Sequence, residues 1–292
     1  MEIRPDFYDR FYCLAGDCRH TCCQVWEIDV DEVTLAKYRA EPGPLGEELR
    51  SAITRSPDGS WSIRLNEGGF CPFLREDGLC RLIVEHDEDF LCDICALHPR
   101  FFEDVGEHEL SGVGLCCEAT VALLLEGEGP LLFLTEEDEP LTLAELLSRL
   151  GFAVSAGALV YSPTVDPDYY GAVFRRYAAC EAIDGAWTEE LARLSADPKG
   201  CAKAEEVYIT SSSLSLYQRI FDYILYRQLE LAGEYGLPAL IRYARESTDF
   251  ILLWTARTGD LAGCLRRWSE EMEYSTENVG LLLDGLRAPE RE

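Results

Sequence analysis

The cysteines of this chain are crowded toward one end of the sequence, and that placement limits what the chain can fold into. Ten of its 13 cysteines precede residue 118, whereas Cys180, Cys201 and Cys264 are scattered singly beyond it. The short segments between the crowded cysteines can bury little apolar area, so bound metal would help to hold them together. We therefore predict a metal-binding first half, and we interpret the last three cysteines as small core residues.

The sequence carries no recognisable export or membrane signal. Its opening residues, MEIRPDFYDRFYC, mix charged and apolar side chains, and no apolar run reaches the roughly 18 to 20 residues that a membrane span requires. We therefore expect a cytoplasmic protein. In a reducing cytosol, crowded cysteines are metal ligands more often than disulfides, and redox-active or merely buried thiols are the alternative.

The charge of the chain is strongly acidic. Its formal net charge is −28, and most of that charge falls within residues 1–140. A field of this sign repels nucleic-acid phosphates and anionic membranes, and it attracts basic protein surfaces or peptides. We therefore expect a basic protein as partner, with neither nucleic acid nor membrane; a role in solubility alone is the alternative.

The first half contains signals for short structural elements. Asp29 and Asp31 are N-cap candidates for a helix in IDVDEVTLAKYRA, and WSIRL alternates as a half-buried strand does. In CPFLREDGLCRL, Asp77 and Gly78 mark a turn between a strand and a second strand or helix. In the segment HELSGVGLCCEATVALLLEG, an alternating residue pattern comes first, and an apolar helix is predicted from about residue 117 to 126.

The second half has a helical pattern. Thr142 is an N-cap candidate with Gly151 as the stop, and SLSLYQRIFDYILYRQLELAGEYG gives the strongest helical periodicity in the chain. We predict an α+β fold in which a cysteine-rich metal-binding N-terminal half with short strands and helices is joined to a mainly helical C-terminal half. The predicted domains are residues 1–140 and 141–292.

The cysteine spacing predicts metal binding without specifying the metal. Zinc ribbons have two C-x2-C knuckles and bacterial ferredoxins have a C-x2-C-x2-C run, and this chain has neither. The C-x3-C-x2-C triplet of radical enzymes that use S-adenosylmethionine (SAM) begins at Cys18 and Cys22 but fails at position 25, which is a valine. No glycine-rich loop between a strand and a helix indicates a nucleotide site.

Four blocks of sequence together resemble the flagellin lysine N-methylase family of bacteria. They are CLAGDCRHTCCQVWEIDVDEVTLAKY, CPFLREDGLCRL, FLCDICALHPRFF and HELSGVGLCCEATVALLLEG. The blocks occur in the family's order, and the resemblance covers residues 8–126. Small bacterial proteins described as zinc- or iron-chelating share some of these cysteine blocks.

The resemblance implies transfer of a methyl group from SAM to the ε-amine of a lysine-bearing protein, possibly flagellin. It also implies a cysteine-bound metal centre, an iron–sulfur cluster or alternatively zinc. The family pattern matches these ligand candidates: Cys13, Cys18, Cys22, Cys23, Cys71, Cys80, Cys95 and Cys116. Eight ligands fit one well-supplied cluster or two four-ligand sites. Three further candidates depart from the pattern: Cys92 is additional, Cys117 stands in place of proline, and His98 stands in place of tyrosine.

Two other functions are compatible with the same cysteines. The first is a non-enzymatic zinc- or iron-binding or electron-transfer protein that shares the cysteine module, and the second is a thiol-based redox sensor. A helical half of about 150 residues favours the enzyme, since a bare metal carrier needs no second domain. The catalytic and SAM-binding residues are not identified by the sequence. Trp26 is predicted to pack over the metal site, and Glu118 is either a family carboxylate or a helix first-turn charge.

Overall fold

The structure is a computed structural model that describes residues 1–25, 27–57 and 59–287. Its strands are Glu2–Pro5 (β1), Ile28–Asp29 (β2), Ile53–Arg55 (β3), Trp61–Ile63 (β4), Arg100–Val105 (β5), His108–Val113 (β6), Phe133–Thr135 (β7) and Pro140–Leu141 (β8). Its α-helices are Glu32–Ala40 (α1), Gly43–Ala52 (α2), Arg81–Glu85 (α3), Asp93–Leu97 (α4), Glu118–Glu126 (α5), Leu143–Arg149 (α6), Pro167–Tyr177 (α7), Gly185–Ser195 (α8), Pro198–Ile209 (α9), Leu214–Arg227 (α10), Ala232–Tyr235 (α11), Leu237–Thr258 (α12), Leu261–Trp268 (α13) and Thr276–Arg287 (α14).

The chain divides into two compact units. The cysteine-rich unit contains residues 12–101 and 117–119, and the helical unit contains residues 1–11, 102–116 and the chain from residue 120 onward. Helices and strands occur together, which confirms the predicted α+β class at that level of detail. The division into domains at residue 140 stays a prediction.

The cysteine-rich unit has a three-stranded sheet in the order β2-β4-β3, with both pairs antiparallel. The helix predicted after the paired aspartates is α1, and Asp31 is its N-cap, because its carboxylate accepts a hydrogen bond from the Thr34 amide at 2.8 Å. Asp29 instead belongs to β2 and pairs with Ser62. The strand predicted in WSIRL is β4.

The apolar core of this unit incorporates cysteine side chains. Its buried members are Ile28, Val30, Leu35, Tyr38, Leu45, Leu49, Ala52, Ile63, Cys71, Phe73, Leu82 and Cys92. The thiols of Cys23, Cys80 and Cys95 pack against the same cluster and are partly buried. Thiols therefore take the place that larger apolar side chains occupy in an ordinary core.

The turn predicted in CPFLREDGLCRL is present, but the residues on its two sides form a single β-bridge and no continuous strands. Leu74 pairs with Cys80 as an isolated antiparallel bridge, and α3 begins directly after Cys80. Gly78 lies in the turn with φ +78°, a backbone conformation that glycine adopts without steric cost. The early start of α3 therefore shortens what would have been a hairpin.

The helical unit combines a mixed sheet with packed helices. The sheet has the order β5-β6-β1-β7-β8, in which β1 pairs parallel with β6 and antiparallel with β7. Strand β6 and helix α5 follow the predicted change from alternating to helical pattern, and α6 begins with the predicted cap. Thr142 and Glu145 form a capping box there, each side chain bonding the other's backbone amide.

Two tyrosines of α10, the helix with the strongest predicted periodicity, bond directly to strand backbone. The Tyr226 hydroxyl lies 2.7 Å from the Ile3 carbonyl and 2.8 Å from the Ser111 carbonyl, in neighbouring strands β1 and β6. The Tyr223 hydroxyl donates to the Val113 carbonyl at 2.6 Å and accepts from the amide of the same residue at 2.9 Å. These fully buried bonds fix α10 against the sheet.

Several acidic side chains are buried among the helices. Asp249 on α12 accepts hydrogen bonds from the hydroxyls of Tyr161 and Tyr169, at 2.8 and 2.9 Å. Glu205 on α9 accepts one from the Tyr170 hydroxyl at 2.6 Å. Burial raises the pKa of Glu205 to about 8 and that of Asp249 to about 6, because a buried carboxylate loses its hydration.

Among the helices of residues 1–25, 27–57 and 59–287, none is both long and apolar enough to span a lipid bilayer.

Replacement of Tyr226 by Phe should destabilise the helical unit by about 1–3 kcal/mol, because two strand carbonyls lose a buried donor while the ring packing is kept. Thermal unfolding followed by circular dichroism measures the effect. The matched control is Tyr12→Phe, at a side chain that is 71% exposed. Equal melting temperatures for the two variants would contradict a structural role for the Tyr226 hydroxyl.

The raised pKa of Glu205 makes stability depend on pH. Between the ordinary pKa of 4.5 and the folded value of about 8, only the folded state keeps the proton. The contribution of this group to stability is therefore complete below pH 4.5 and is lost as the pH rises to about 8, by at most about 1.4 kcal/mol per pH unit.

Replacement of Glu205 by Gln should remove that loss, since the amide is neutral at every pH. The melting temperature of the Glu205→Gln variant relative to the wild type should therefore increase between pH 5 and pH 8. The neighbouring exposed residue provides the control, Glu206→Gln. A constant difference across this range would show that Glu205 is ionised in the folded protein.

Candidate metal centre

Nine of the ten crowded cysteines belong to one compact unit. They are Cys13, Cys18, Cys22, Cys23, Cys71, Cys80, Cys92, Cys95 and Cys117. All are free thiols. The tenth, Cys116, belongs to the helical unit, so the boundary between the units falls within the adjacent pair 116–117.

Five of these thiols form an inner group at the apolar core: Cys23, Cys71, Cys80, Cys92 and Cys95. Local backbone structure brings them together. The Cys71 amide donates to the Cys23 carbonyl at 2.9 Å, and the Gln24–Phe70 bridge extends this pairing. Cys80 and Cys92 immediately precede α3 and α4, and the Cys95 amide bonds back to the Cys92 carbonyl at 3.0 Å.

Burial raises the pKa of three inner thiols, Cys71, Cys80 and Cys95, in the absence of a cation. Burial is the main cause that raises the pKa of Cys71 to about 12, and the nearby sulfurs of Cys23, Cys80 and Cys92 act in the same direction. The Cys95 thiol donates a hydrogen bond to Cys92, which raises the pKa of Cys95 and lowers that of Cys92. A bound metal ion would reverse this preference, because it binds the thiolate form.

The other four thiols form an outer group at the surface of the unit: Cys13, Cys18, Cys22 and Cys117. Cys13 and Cys22 are exposed, and Cys18 and Cys117 are half-buried. The Cys18 and Cys22 sulfurs both lie within electrostatic range of those of Cys13 and Cys117. The inner and outer groups meet at Cys22 and Cys23, which are adjacent in sequence. Cys22 donates a hydrogen bond to Cys23, and this bond lowers the pKa of Cys23 to about 7.

Glu118 holds the loop that carries Cys18. Its Oε2 atom accepts hydrogen bonds from the backbone amides of Arg19 and His20, at 3.1 and 3.2 Å, and lies 3.9 Å from the Cys18 sulfur. The carboxylate also pairs with the Arg19 guanidinium, and the side chain is only 15% exposed. Because Glu118 directly follows Cys117, these bonds bring the Cys18 loop to Cys117. The sequence predicted either a family carboxylate or a helix first-turn charge here, and it did not predict the bonds to the Cys18 loop.

His98 is half-buried in the same unit. Burial lowers its pKa to about 4, so its imidazole is neutral at physiological pH, the form that binds metals. Cys116 has a different environment: it is 6% exposed and forms a hydrogen bond with Tyr274 in the helical unit. Trp26, predicted to pack over the site, lies outside the described residues.

The donor set suits a thiophilic metal, but the thiols are not arranged around one. Within residues 1–25, 27–57 and 59–287, no group of three or more His, Cys, Asp or Glu side chains already has the geometry to hold an ion. The close approaches are pairwise, in Cys22–Cys23 and Cys92–Cys95. A tetrahedral ion or a four-iron cluster needs four converging ligands, and the described thiols do not converge in that way.

Comparison with known proteins confirms the resemblance seen in the sequence. The chain is 28% identical over 126 residues to the lysine-N-methylase of Salmonella typhimurium, a match that covers 41% of this chain and 31% of that protein. Over that segment the chain is similar to bacterial lysine N-methylases. The lysine-N-methylase of Salmonella choleraesuis is 27% identical over the same shares of both chains.

A shorter protein that is similar to the chain is named for flagellar biosynthesis. The flagellar biosynthetic protein FliU of Salmonella muenchen is 26% identical over 126 residues, which is 75% of its length. The chain thus spans about a third of the length of the methylases it matches, and most of the shorter relative. No family model and no solved structure matches the chain.

Replacement of Glu118 by Ala should make Cys18 more reactive. The substitution releases the Arg19 and His20 amides and removes a negative charge that raises the pKa of the Cys18 thiol. We expect iodoacetamide to alkylate Cys18 several-fold faster in the reduced, metal-free variant, as measured by peptide mass spectrometry.

Two further variants test this explanation. Glu118→Gln keeps an oxygen acceptor and should give an intermediate rate, and Glu126→Gln at the exposed end of the same helix should match the wild type. Unchanged alkylation of Cys18 in Glu118→Ala would show that the loop holds its conformation without the carboxylate.

Proposed function

We propose that the chain is a SAM-dependent protein-lysine N-methylase whose cysteine-rich unit binds an iron–sulfur cluster. One observation carries the proposal: a relative of lysine N-methylases gathers nine free thiols in a single compact unit. So many thiols at and beside a small core exceed what packing requires, and soft thiolates are the ligands that iron–sulfur clusters and zinc prefer.

The reaction would move one methyl group from sulfur to nitrogen. The lysine ammonium first loses a proton to a base, and the neutral amine then attacks the sulfonium methyl in line. The carbon–sulfur bond breaks as the carbon–nitrogen bond forms, and S-adenosylhomocysteine leaves as a neutral thioether. A protein with a net charge of −28 would attract a basic, lysine-bearing acceptor, and flagellin is the acceptor suggested by the flagellar relative.

The thiols of the inner and outer groups would hold the metal centre, with His98 as a further donor. An iron–sulfur cluster would supply one-electron chemistry, whereas zinc would stabilise the fold. The surrounding side chains would place and shield the ligands. The apolar core would exclude water from the inner thiols, and Glu118 would fix the loop that carries Cys18.

The limited extent of the similarity to the methylases favours a second function. The matched segment is 31% of the methylase length, so the chain could share a cysteine module with these enzymes without sharing their activity. It would then be a zinc- or iron-binding or electron-transfer protein. Such a protein would hold metal but would bind no SAM.

The deciding experiment is performed on protein purified without oxygen. Iron, zinc and acid-labile sulfide are measured first, and SAM binding is then measured by isothermal titration. We expect iron and sulfide in equal amounts, binding of SAM, and transfer of labelled methyl groups to lysines of a flagellin preparation.

Other results would each select a different function. Metal without SAM binding would favour the metal-binding or electron-transfer protein. Absence of metal together with reversible disulfides at Cys22–Cys23 and Cys92–Cys95 would favour a redox sensor. Heat-denatured protein controls for adventitious metal, since it keeps the thiols but loses their arrangement.

A further inference from the structure

We infer that a cavity between helices α7 and α9 of the helical unit binds the amino-acid end of SAM. The inference rests on the proposed function, because it takes SAM as the methyl donor, and it goes beyond that function by assigning a binding site. Five lining residues carry it: Asp168, Gly171 and Arg175 on α7, Asp197 at the N-cap of α9, and Lys199 in the first turn of α9.

This cavity has the size of a small-molecule site. Its volume is about 430 Å³, within the roughly 300–1,000 Å³ that such sites occupy. The lining residues Arg175 and Lys199 are exposed, so a ligand from solvent can reach the cavity. Pro167, Ala196 and Pro198 supply the apolar part of the lining, against which the carbon chain of a ligand can pack.

Gly171 leaves space in the wall of the cavity that α7 provides. Its backbone is not in the left-handed conformation that favours glycine. Apart from its chain neighbours and its own helix backbone, a Cβ added here would meet only the Nη1 atom of Arg175 among the described residues, at 3.6 Å. Neither backbone conformation nor packing therefore requires glycine, which lowers helix stability relative to alanine. The missing side chain leaves room for a ligand beside the Arg175 guanidinium.

Arg175 and Lys199 provide cationic groups for a carboxylate. Within residues 1–25, 27–57 and 59–287, neither side chain forms an ion pair or a hydrogen bond. The guanidinium has five donors in a fixed fork and the ammonium has three, so both keep their donors for a ligand. A carboxylate in the cavity is attracted by both groups and can accept charge-assisted hydrogen bonds from them.

Asp168 and Asp197 provide negative charge for the cationic parts of the ligand. The Asp197 carboxylate caps α9 and accepts a hydrogen bond from the Gly200 amide at 2.9 Å. The Asp168 carboxylate makes no hydrogen bond or ion pair with any described residue. SAM carries one carboxylate and two positive centres, its ammonium and its sulfonium. The two aspartates and the two basic residues of the cavity complement this set of charges.

The same charges disfavour other ligands. A phosphate or sulfate would be repelled by Asp168 and Asp197, and a lysine side chain of the acceptor would be repelled by Arg175 and Lys199. S-adenosylhomocysteine keeps the ammonium and the carboxylate of SAM but lacks the sulfonium charge. The cavity should therefore hold this product less tightly than SAM, which would favour its release after methyl transfer.

Filling the cavity at Gly171 tests the inference. The Gly171→Leu variant should lose SAM binding, measured by isothermal titration on the full chain purified without oxygen, because its side chain occupies the space left for the ligand. Its melting temperature should not fall, since leucine is a better helix former than glycine. The matched control is Gly233→Leu, at another helical glycine with open space around an added Cβ, and it should bind SAM as the wild type does.

A ligand without a carboxylate tests the role of Lys199. Decarboxylated SAM keeps both positive centres, and the wild type should bind it about ten-fold more weakly than SAM, because a charge-assisted hydrogen bond is lost. Lys199→Ala should weaken the binding of SAM but leave that of decarboxylated SAM unchanged. The control is Lys203→Ala, at an exposed position one turn further along α9. Equal weakening of both ligands by Lys199→Ala would show a merely structural effect and overturn the assignment.

The results also separate this inference from the proposed function. SAM binding that neither Gly171→Leu nor Lys199→Ala changes would overturn the inference and leave the proposed function intact. Loss of SAM binding in Gly171→Leu at the metal content of the wild type would support the inference, since the substitution then acts on the SAM site alone. SAM binding in the cavity without methyl transfer to lysines would support the site and overturn the activity. A wild type that binds no SAM would overturn both.

Discussion

The cysteine-rich unit depends on a conflict between burial and ionisation of its thiols. Its core is small, and Cys71 and Cys92 belong to it. In the absence of a cation this environment favours the protonated form, as the pKa of about 12 for Cys71 shows. Metal binding would turn the same burial into a source of stability, since the ion replaces the lost hydration of the thiolate. Folding of this unit and metal occupancy would then be coupled.

Local sequence signals predicted the elements that depend on near neighbours. The N-cap at Thr142, the helix after Asp31 and the change from β6 to α5 were predicted correctly, because each is fixed within a few residues. The periodicity of α10 predicted its buried face. The sequence did not predict that α10 is bonded to the sheet, since Tyr226 bonds to a strand more than 200 residues away along the chain.

The arrangement of the candidate site could be predicted only in part. The cysteine blocks identified the right relatives, but spacing does not show which cysteines the fold brings together. Cys116 and Cys117 illustrate the problem, because one belongs to each unit. The bonds of Glu118 to the Cys18 loop join residues about a hundred positions apart. Such pairing depends on the tertiary fold, and a single sequence carries no signal for it.

The buried acids of the helical unit narrow the search for a catalytic base. Asp249 and Glu205 have raised pKa values, a feature that often marks catalytic groups. Yet both are fully buried, and tyrosine hydroxyls already bond to them. A base for lysine must come within hydrogen-bonding distance of an amine that arrives from solvent. These two carboxyls therefore belong to the packing of the helices, and a base for the proposed methyl transfer would have to be a group that solvent reaches.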